Sequence, residues 1–254
     1  MARGPTAASP PHPGHLDGES LAGLSGQTSR RAVDVAVAAV ALAVVSPVLA
    51  VVAALIRLTS PGPVIYRARR AGLHGQPITV LKFRTMRVDG DGGGAITADG
   101  DPRVYPLGSW LRRSKIDELP QLVNVLRGDM SIIGPRPEDP RIVAAHYREE
   151  HLQTLGVPPG LTSPGSLYSS THAQAALTGP DPDAVYAERV LPVKLALDLV
   201  YLRRRCLRYD LGVVARTAWV VGALTMGRRR FPDPPELAEA ERLYGCSANG
   251  HGPG

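Results

Sequence analysis

Arg30-Arg31-Ala32-Val33-Asp34-Val35-Ala36-Val37-Ala38-Ala39-Val40-Ala41-Leu42-Ala43-Val44-Val45-Ser46-Pro47-Val48-Leu49-Ala50-Val51-Val52-Ala53-Ala54-Leu55-Ile56-Arg57 is the stretch whose reading decides the fold. Roughly 25 apolar residues at helical rise exceed the ~30 Å of hydrocarbon in a bilayer, so a membrane helix is affordable by length. Pro47 removes a backbone donor, and Ser46 beside it can bond back to the freed carbonyl, which places a bend near the midpoint. Arginines flank both ends, so no positive-inside asymmetry orients a straight span. A bent helix that enters and leaves by one face would set both arginine clusters at the same headgroups. The re-entrant arrangement is the favoured expectation, with a straight span and a buried soluble helix as the alternatives.

Working outward, residues 1–28 are rich in Pro, Gly, Ser and Ala without apolar period and read as a tail rather than a signal peptide. After Thr59-Ser60-Pro61-Gly62-Pro63, two strands are predicted at Val64-Ile65-Tyr66 and Pro77 to Met86, joined through Gly72 and Gly75. Period-two alternation puts Lys82, Arg84 and Met86 on one cationic face. Asp89 to Gly100, glycine-rich with interspersed aspartates, reads as a polar loop, either a lid or a plain connector.

Leu107 to Arg113 is expected to be a short helix with Trp110 and Leu111 inward. Ser114 then caps the next helix, with Asp117 and Glu118 in its first turn and Gly128 as its stop. Met130 to Ile133 is a short strand leading to Pro135-Arg136-Pro137, whose prolines pre-set the backbone around Arg136. A helix over 140–155, a Pro/Gly/Ser-rich loop over 157–170, a helix over 186–205 broken at Pro192 and an interfacial helix over 211–226 follow. The expected class is α+β, with residues 29–58 as the re-entrant membrane helix, 59–230 as a compact catalytic domain and 231–254 as a loose C-terminal tail.

The chain of 254 residues carries a net charge of +6, which favours anionic partners. Aromatic content is 5%, and no nucleic-acid-binding motif is present, so nucleic acid is the weaker partner class. Cys206 and Cys246 read as free thiols of a reducing compartment. His74, His146, His151 and His172 lack ligand spacing, and no zinc site is expected.

The chemistry concentrates in Ser114-Lys115-Ile116-Asp117-Glu118-Leu119-Pro120-Gln121-Leu122, two carboxylates among Arg112, Arg113, Lys115, Arg127 and Arg136. A carboxylate can attack phosphorus and split one displacement into two. Asp117 is then the nucleophile, Glu118 the holder of a Mg²⁺ ion that neutralises phosphate charge, and Lys82 and Arg136 fixed positive charges for the phosphates. Acidic residues in a first helical turn also complement the macrodipole without any catalytic role, and spacing alone leaves that reading open.

Lys82-Phe83-Arg84-Thr85-Met86, Asp117-Glu118-Leu119-Pro120-Gln121-Leu122-Val123-Asn124-Val125-Leu126-Arg127-Gly128-Asp129-Met130-Ser131 and Gly134-Pro135-Arg136-Pro137-Glu138 together closely resemble the bacterial sugar transferases, monotopic polyprenyl-phosphate phosphoglycosyl transferases, over about residues 30 to 226. The resemblance implies transfer of a sugar phosphate from a nucleoside diphosphate sugar, usually a uridine one, to polyprenyl phosphate through a phosphosugar on Asp117. It implies Mg²⁺ at Glu118, substrate contacts from Lys82, Arg84 and Arg136, and a re-entrant break at Ser46-Pro47. It also implies a further functional aspartate at Asp210, with Asp198 as its competitor.

The implied setting is the bacterial inner membrane, with the catalytic domain facing the cytoplasm and the lipid bilayer as partner; homo-oligomerisation stays open. No extra spanning helices of larger relatives are expected. Pro159-Gly160-Leu161-Thr162-Ser163-Pro164-Gly165-Ser166 departs from the family's usual Pro-Gly-Ile-Thr-Gly, which leaves the sugar unassigned. A catalytically silent scaffold of a glycosylation pathway is the rival reading.

Overall fold

A computed structural model describes residues 18–87, 101–173 and 182–246, with side chains from residue 28 onward. The expected lid over 89–100 lies outside the described residues. The chain divides into units of residues 1–33 and 34–254. The first is described from Gly18 as the beginning of helix α1 (Gly18–Thr59), so helix replaces the expected tail over 18–28, and residues 1–17 lie outside the description.

In the second unit, α1 presents two apolar stripes. Ala38, Ala41, Leu42 and Val45, then Leu49, Val52, Ala53 and Ile56, recur every three or four residues and pack against the globular domain. Val37, Val40, Val44, Val48, Val51, Leu55 and Leu58 form the opposite stripe and are exposed, Val44 by 72%. A helix apolar on both faces but covered on one needs a second apolar solvent, and α1 is the N-terminal membrane helix of the fold. Pro47 lies inside it. Its missing N–H deprives the Ala43 carbonyl of the usual partner four residues on, and Ser46 Oγ donates to that same oxygen at 2.9 Å. Asp34, the one acid of the stretch, accepts from Ser131 Oγ (2.6 Å) and from the Ile132 amide (3.1 Å), which docks the helix.

β1 (Ile65–Ala71) and β2 (Pro77–Phe83) form an antiparallel pair, with Ile65 opposite Phe83 and Ala71 opposite Pro77. The connection tightens at Gly72, where an added Cβ would lie 2.5 Å from Ile78. The outer edge of β2 is satisfied by a side chain: Asn124, fully buried on α3 (Gln121–Arg127), donates to Thr79 O (2.7 Å) and accepts from the Leu81 amide (3.0 Å). This pairing fixes α3 against the strand.

β3 (Ser131–Ile133) pairs in parallel with β4 (Gly160–Thr162). Main chains meet so closely there that a Cβ on Gly160 would lie 2.1 Å from Gly134 N. The class is α+β, with short strands among many helices.

Several local expectations need correction. α2 (Pro106–Arg113) buries Leu111 but leaves Trp110 44% exposed, because the eight-residue helix covers only one narrow face. The span 140–155 holds α4 (Pro140–His146) and a separate 3₁₀ turn, His151–Gly156, rather than one helix. Pro192 marks the expected interruption: a wider π-helical segment, Tyr186–Val190, runs directly into α7 (Leu191–Arg204), and Pro192 stands in the first turn of α7 where the winding changes. After α5 (Pro164–Tyr168) and α6 (Pro182–Val185), α7 leads to α8 (Leu207–Thr225), which exposes Leu207, Leu211, Val214 and Trp219.

The tail after Phe231 is not loose through residue 246. α9 (Leu237–Tyr244) buries Leu237 and Ala240 in the cluster built on α7, and buried Glu236 accepts from Arg216 Nη1 at 2.8 Å. An amphipathic stripe with an anchored start offsets its ordering entropy. Residues 247–254 lie outside the description.

Candidate active site

Ser114 does not cap a following helix. It closes α2, its Oγ donating to the Trp110 carbonyl at 2.9 Å. Lys115 then takes a left-handed conformation (φ 58, ψ 12), uncommon for a residue with a Cβ. That reversal turns the chain into a 3₁₀ turn, Ile116–Glu118, ahead of α3. Asp117 and Glu118 therefore sit in the turn between two helices, not in the first turn of one.

The two carboxylates have opposite environments. Asp117 is buried, and its Oδ1 has no hydrogen-bond partner among the described residues. Burial, then the charge of Glu118, pushes its carboxyl up to about 6, against the pull of Lys82, Lys115 and Arg112. Glu118 is gripped. Arg136 meets it with both terminal nitrogens, Nη1 to Oε2 at 2.9 Å and Nη2 to Oε1, and Lys82 Nζ donates to Oε1 at 3.3 Å. Burial pushes the Glu118 carboxyl up, but Arg136, Lys82 and Lys115 together hold it well below the usual range. Lys82 is itself lowered, chiefly by burial, with Glu118 opposing.

Each cation arrives by a separate route. Lys82 comes from β2, held in register by Asn124. Arg136 comes from the segment after β3, whose backbone is tied by Gly134 N to Thr162 O (3.0 Å), Gly160 N to Pro135 O (2.9 Å) and Ala71 N to Glu138 O (2.9 Å). Arg112 comes from α2, its Nε on Thr85 Oγ1 at 2.8 Å. Four cations, Lys82, Lys115, Arg112 and Arg136, thus act on two carboxylates, a local excess of positive charge. The arrangement suits a polyanion.

Arg84 has a structural place. Its guanidinium is buried and donates to the Ser60 carbonyl (2.6 Å) and to the Pro61 carbonyl, at the end of α1. β2 ends at Phe83, so the alternation that paired Arg84 with Lys82 lapses there, and the carbonyls at a helix C-terminus recruit the charge. Asp210 lies in the first turn of α8, where it accepts from Tyr201 OH at 2.8 Å and ties α8 to α7. Asp198 is buried on α7, with Oδ1 accepting from the Gly165 amide at 2.9 Å. The departing 159–166 stretch forms β4 and the start of α5, directly beneath the Arg136 segment.

Sequence reasoning passed over the roles of Asn124 and of the Glu138–Lys194 pair. Glu138 stood within the quoted Gly134–Glu138 block, but its partner is 56 positions away.

Among the described residues no cluster of three or more acidic, His or Cys side chains forms a protein-only metal cage. Mg²⁺ commonly takes one or two carboxylates and fills its octahedron with phosphate and water. Glu118 uses three of roughly four acceptor positions on Arg136 and Lys82, and Asp117 Oδ1 is unpartnered, so the donor set fits an ion brought with a phosphate.

This site and fold have known counterparts. The chain is 36% identical over 198 residues to the UDP-glucose:undecaprenyl-phosphate glucose-1-phosphate transferase of Escherichia coli (strain K12), covering 75% of this chain and 39% of that protein. It is 37% identical over 206 residues to an exopolysaccharide production protein of Rhizobium leguminosarum bv. phaseoli, covering 78% and 96%. A 112-residue stretch is 49% identical to a Bacillus subtilis (strain 168) protein, named provisionally as an undecaprenyl-phosphate N-acetylgalactosaminyl 1-phosphate transferase, covering 44% and 63%. The chain thus spans less than two thirds of the length of the E. coli and B. subtilis relatives. With residues 25–223 matching the family model from within α1 through the acid turn and the Arg136 segment into α8, the chain belongs to the bacterial sugar transferase family.

Proposed function

We propose that this chain transfers a sugar 1-phosphate from a uridine diphosphate sugar to undecaprenyl phosphate in two displacements at Asp117, as the first committed step of an exopolysaccharide or glycoconjugate. The observation that carries the reading is the division of labour between the adjacent acids. Asp117 keeps an oxygen unpartnered, while Glu118 is neutralised by Arg136 and Lys82. Matched relatives are named for transfer from UDP-glucose or from UDP-N-acetylgalactosamine to undecaprenyl phosphate, which supports the donor and acceptor classes.

In the first displacement the Asp117 carboxylate attacks the sugar-bearing phosphorus. The O–P bond to the leaving nucleoside monophosphate breaks, and an acyl phosphosugar forms. In the second, an oxygen of the lipid phosphate attacks the same phosphorus, releasing the carboxylate and giving the lipid diphosphate sugar. With its pKa near 6, Asp117 is mostly ionised at neutral pH, and poor solvation in its buried site leaves it less stabilised than a surface carboxylate.

Arg136 and Lys82 hold positive charge where the phosphates would lie, and no reorganisation is needed at the moment of reaction. Mg²⁺ bound by Glu118 and the donor phosphates would supply charge neutralisation. Helix α1 sets this site at a membrane. Both halves of its buried stripe, on either side of Pro47, pack on one domain, which supports a re-entrant helix lying in one leaflet over a straight span. The exposed apolar face of α8 supports an interfacial helix beside it. The cytoplasmic face of the inner membrane, where nucleotide sugars are made, is the corresponding location.

The test is nucleoside monophosphate release from a panel of uridine diphosphate sugars with undecaprenyl phosphate, followed by intact-mass detection of a phosphosugar adduct. The adduct should form on the wild-type chain without acceptor and vanish in Asp117→Ala. Turnover of Asp117→Ala at the wild-type rate would refute the covalent mechanism.

A further inference from the structure

Two residues beyond Arg136 stands another buried carboxylate, Glu138, which the reaction as described does not use. Its Oε1 accepts from Lys194 Nζ and from Tyr186 OH, and Lys194 Nζ also reaches Tyr186 OH at 3.2 Å. Lys194 is 1% exposed, on α7. Burying an ammonium this fully is costly, and an apolar side chain of similar volume would fill the space with no desolvation penalty. Its charge must therefore serve the carboxylate it meets.

Arg136 grips Glu118 in the acid turn, and Glu138, two residues on along its own segment, is a second negative charge that acts on it. Arg136 commits its two terminal nitrogens to Glu118 and keeps Nε and its outer N–H groups for a phosphate, so a pull toward Glu138 would turn both edges out of place. We infer that Lys194 is a positioning residue: by neutralising Glu138 it stops that carboxylate from drawing Arg136 away from Glu118 and from the donor phosphates. The inference rests on the reading of Arg136 as a donor-phosphate ligand.

Three features favour a charge effect over a packing effect. The main chain of the Arg136 segment is tied at Gly134, Pro135 and Glu138 by backbone hydrogen bonds that do not involve Lys194. Arg70, the other cation near Glu138, is engaged by Asp139 at 3.0 Å. Burial pushes the Glu138 carboxyl up, yet Lys194 first, then Tyr186 and Arg70, keep it below its usual range, so the residue is an anion that needs a cation. With Lys194 removed, Arg136 is the cation two residues away.

The experiment compares donor KM and kcat for wild type, Lys194→Met, Lys194→Arg and the double variant Lys194→Met/Glu138→Gln, using the uridine diphosphate sugar that the wild type accepts. Lys194→Met should raise donor KM about tenfold, the worth of one charge-assisted hydrogen bond. Lys194→Arg should stay within about threefold, and the double variant should return to that range because a neutral amide does not attract the guanidinium.

A role in packing alone would lower melting temperature and the fraction of active protein while leaving KM unchanged. Wild-type KM in folded Lys194→Met overturns the inference, as does a double variant as impaired as the single one. If Lys194→Met does not accumulate, the double variant decides alone: near-wild-type KM supports the inference and a tenfold rise overturns it. A wild-type chain silent with every donor rejects the reading of the site itself, an outcome separate from active wild type with unaffected variants.

Discussion

Replacing Asp117 with Asn should make the protein more stable relative to wild type as the pH rises, and the size of the effect follows from the burial of the carboxyl. In the unfolded chain Asp117 titrates near 3.8, and in the fold burial first and Glu118 second raise it to about 6. The folded state then binds this proton more tightly than the unfolded state does. The contribution to stability is fully present below the unfolded value and is lost as pH climbs to the folded one. About two pKa units at ~1.36 kcal/mol each give a loss of about 3 kcal/mol between roughly pH 4 and pH 6. Asn does not titrate and escapes that loss. For a chain of this size the gap in melting temperature between Asp117→Asn and wild type should widen by about 6–12 °C from pH 4 to pH 7. Thermal unfolding in nanodiscs at half-unit pH steps measures it. The same ionisation predicts an acid limb near pH 6 in kcat/KM for the donor. A melting gap that stays constant within about 2 °C across the range would mean that the carboxyl is not desolvated, and the reasoning that makes it a poised nucleophile would fail.

Asn124→Ala leaves Thr79 O and the Leu81 amide without their partner on the outer edge of β2, which should cost about 2–4 kcal/mol in denaturant unfolding and lower turnover through displacement of Lys82. Arg84→Met and Arg136→Ala should separate cleanly. The first loses the guanidinium bonds to Ser60 and Pro61 and about 2–3 kcal/mol of stability, with donor KM within about twofold of wild type; the second also costs stability, because Glu118 keeps only Lys82, but it raises donor KM as well. A raised KM in folded Arg84→Met would return that residue to the substrate site. Val44→Lys combined with Val51→Lys places charge on the exposed stripe of α1, at about 2.5–3.5 kcal/mol each in a bilayer core, and should move the protein from the membrane pellet to the soluble fraction with unchanged circular dichroism.

What could be read from the chain was whatever depends on neighbours close in sequence. The apolar run, the alternation over Val80 to Phe83, the stop at Gly128 and the crowding of Arg112, Lys115, Asp117 and Glu118 are such features, and each has its counterpart in the fold. Ser114 was misread because a serine between two short helices can cap either one. The choice fell to α2 once Leu111 was buried and Lys115 accepted a positive φ to turn the chain. The face expected to pair Arg84 with Lys82 does not form because alternation holds only while a strand lasts, and the strand ends one residue earlier.

Asn124 carried no signal of its own. A polar residue in a helix is usually solvated, and its role exists only because a two-stranded sheet leaves the far edge of β2 bare. The same logic explains why the acids looked equivalent in sequence and are not. Lys82 is 36 positions from Glu118, and Arg136 reaches the same carboxylate from the opposite direction along the chain. With both cations hydrogen-bonded to Glu118, Asp117 is left buried beside an ionised neighbour whose charge adds to burial in raising its carboxyl. The asymmetry that makes one adjacent acid an anchor and the other a nucleophile is therefore created by the sheet edge and the Arg136 segment, and a variant that loosens either should equalise the two acids before it unfolds the protein.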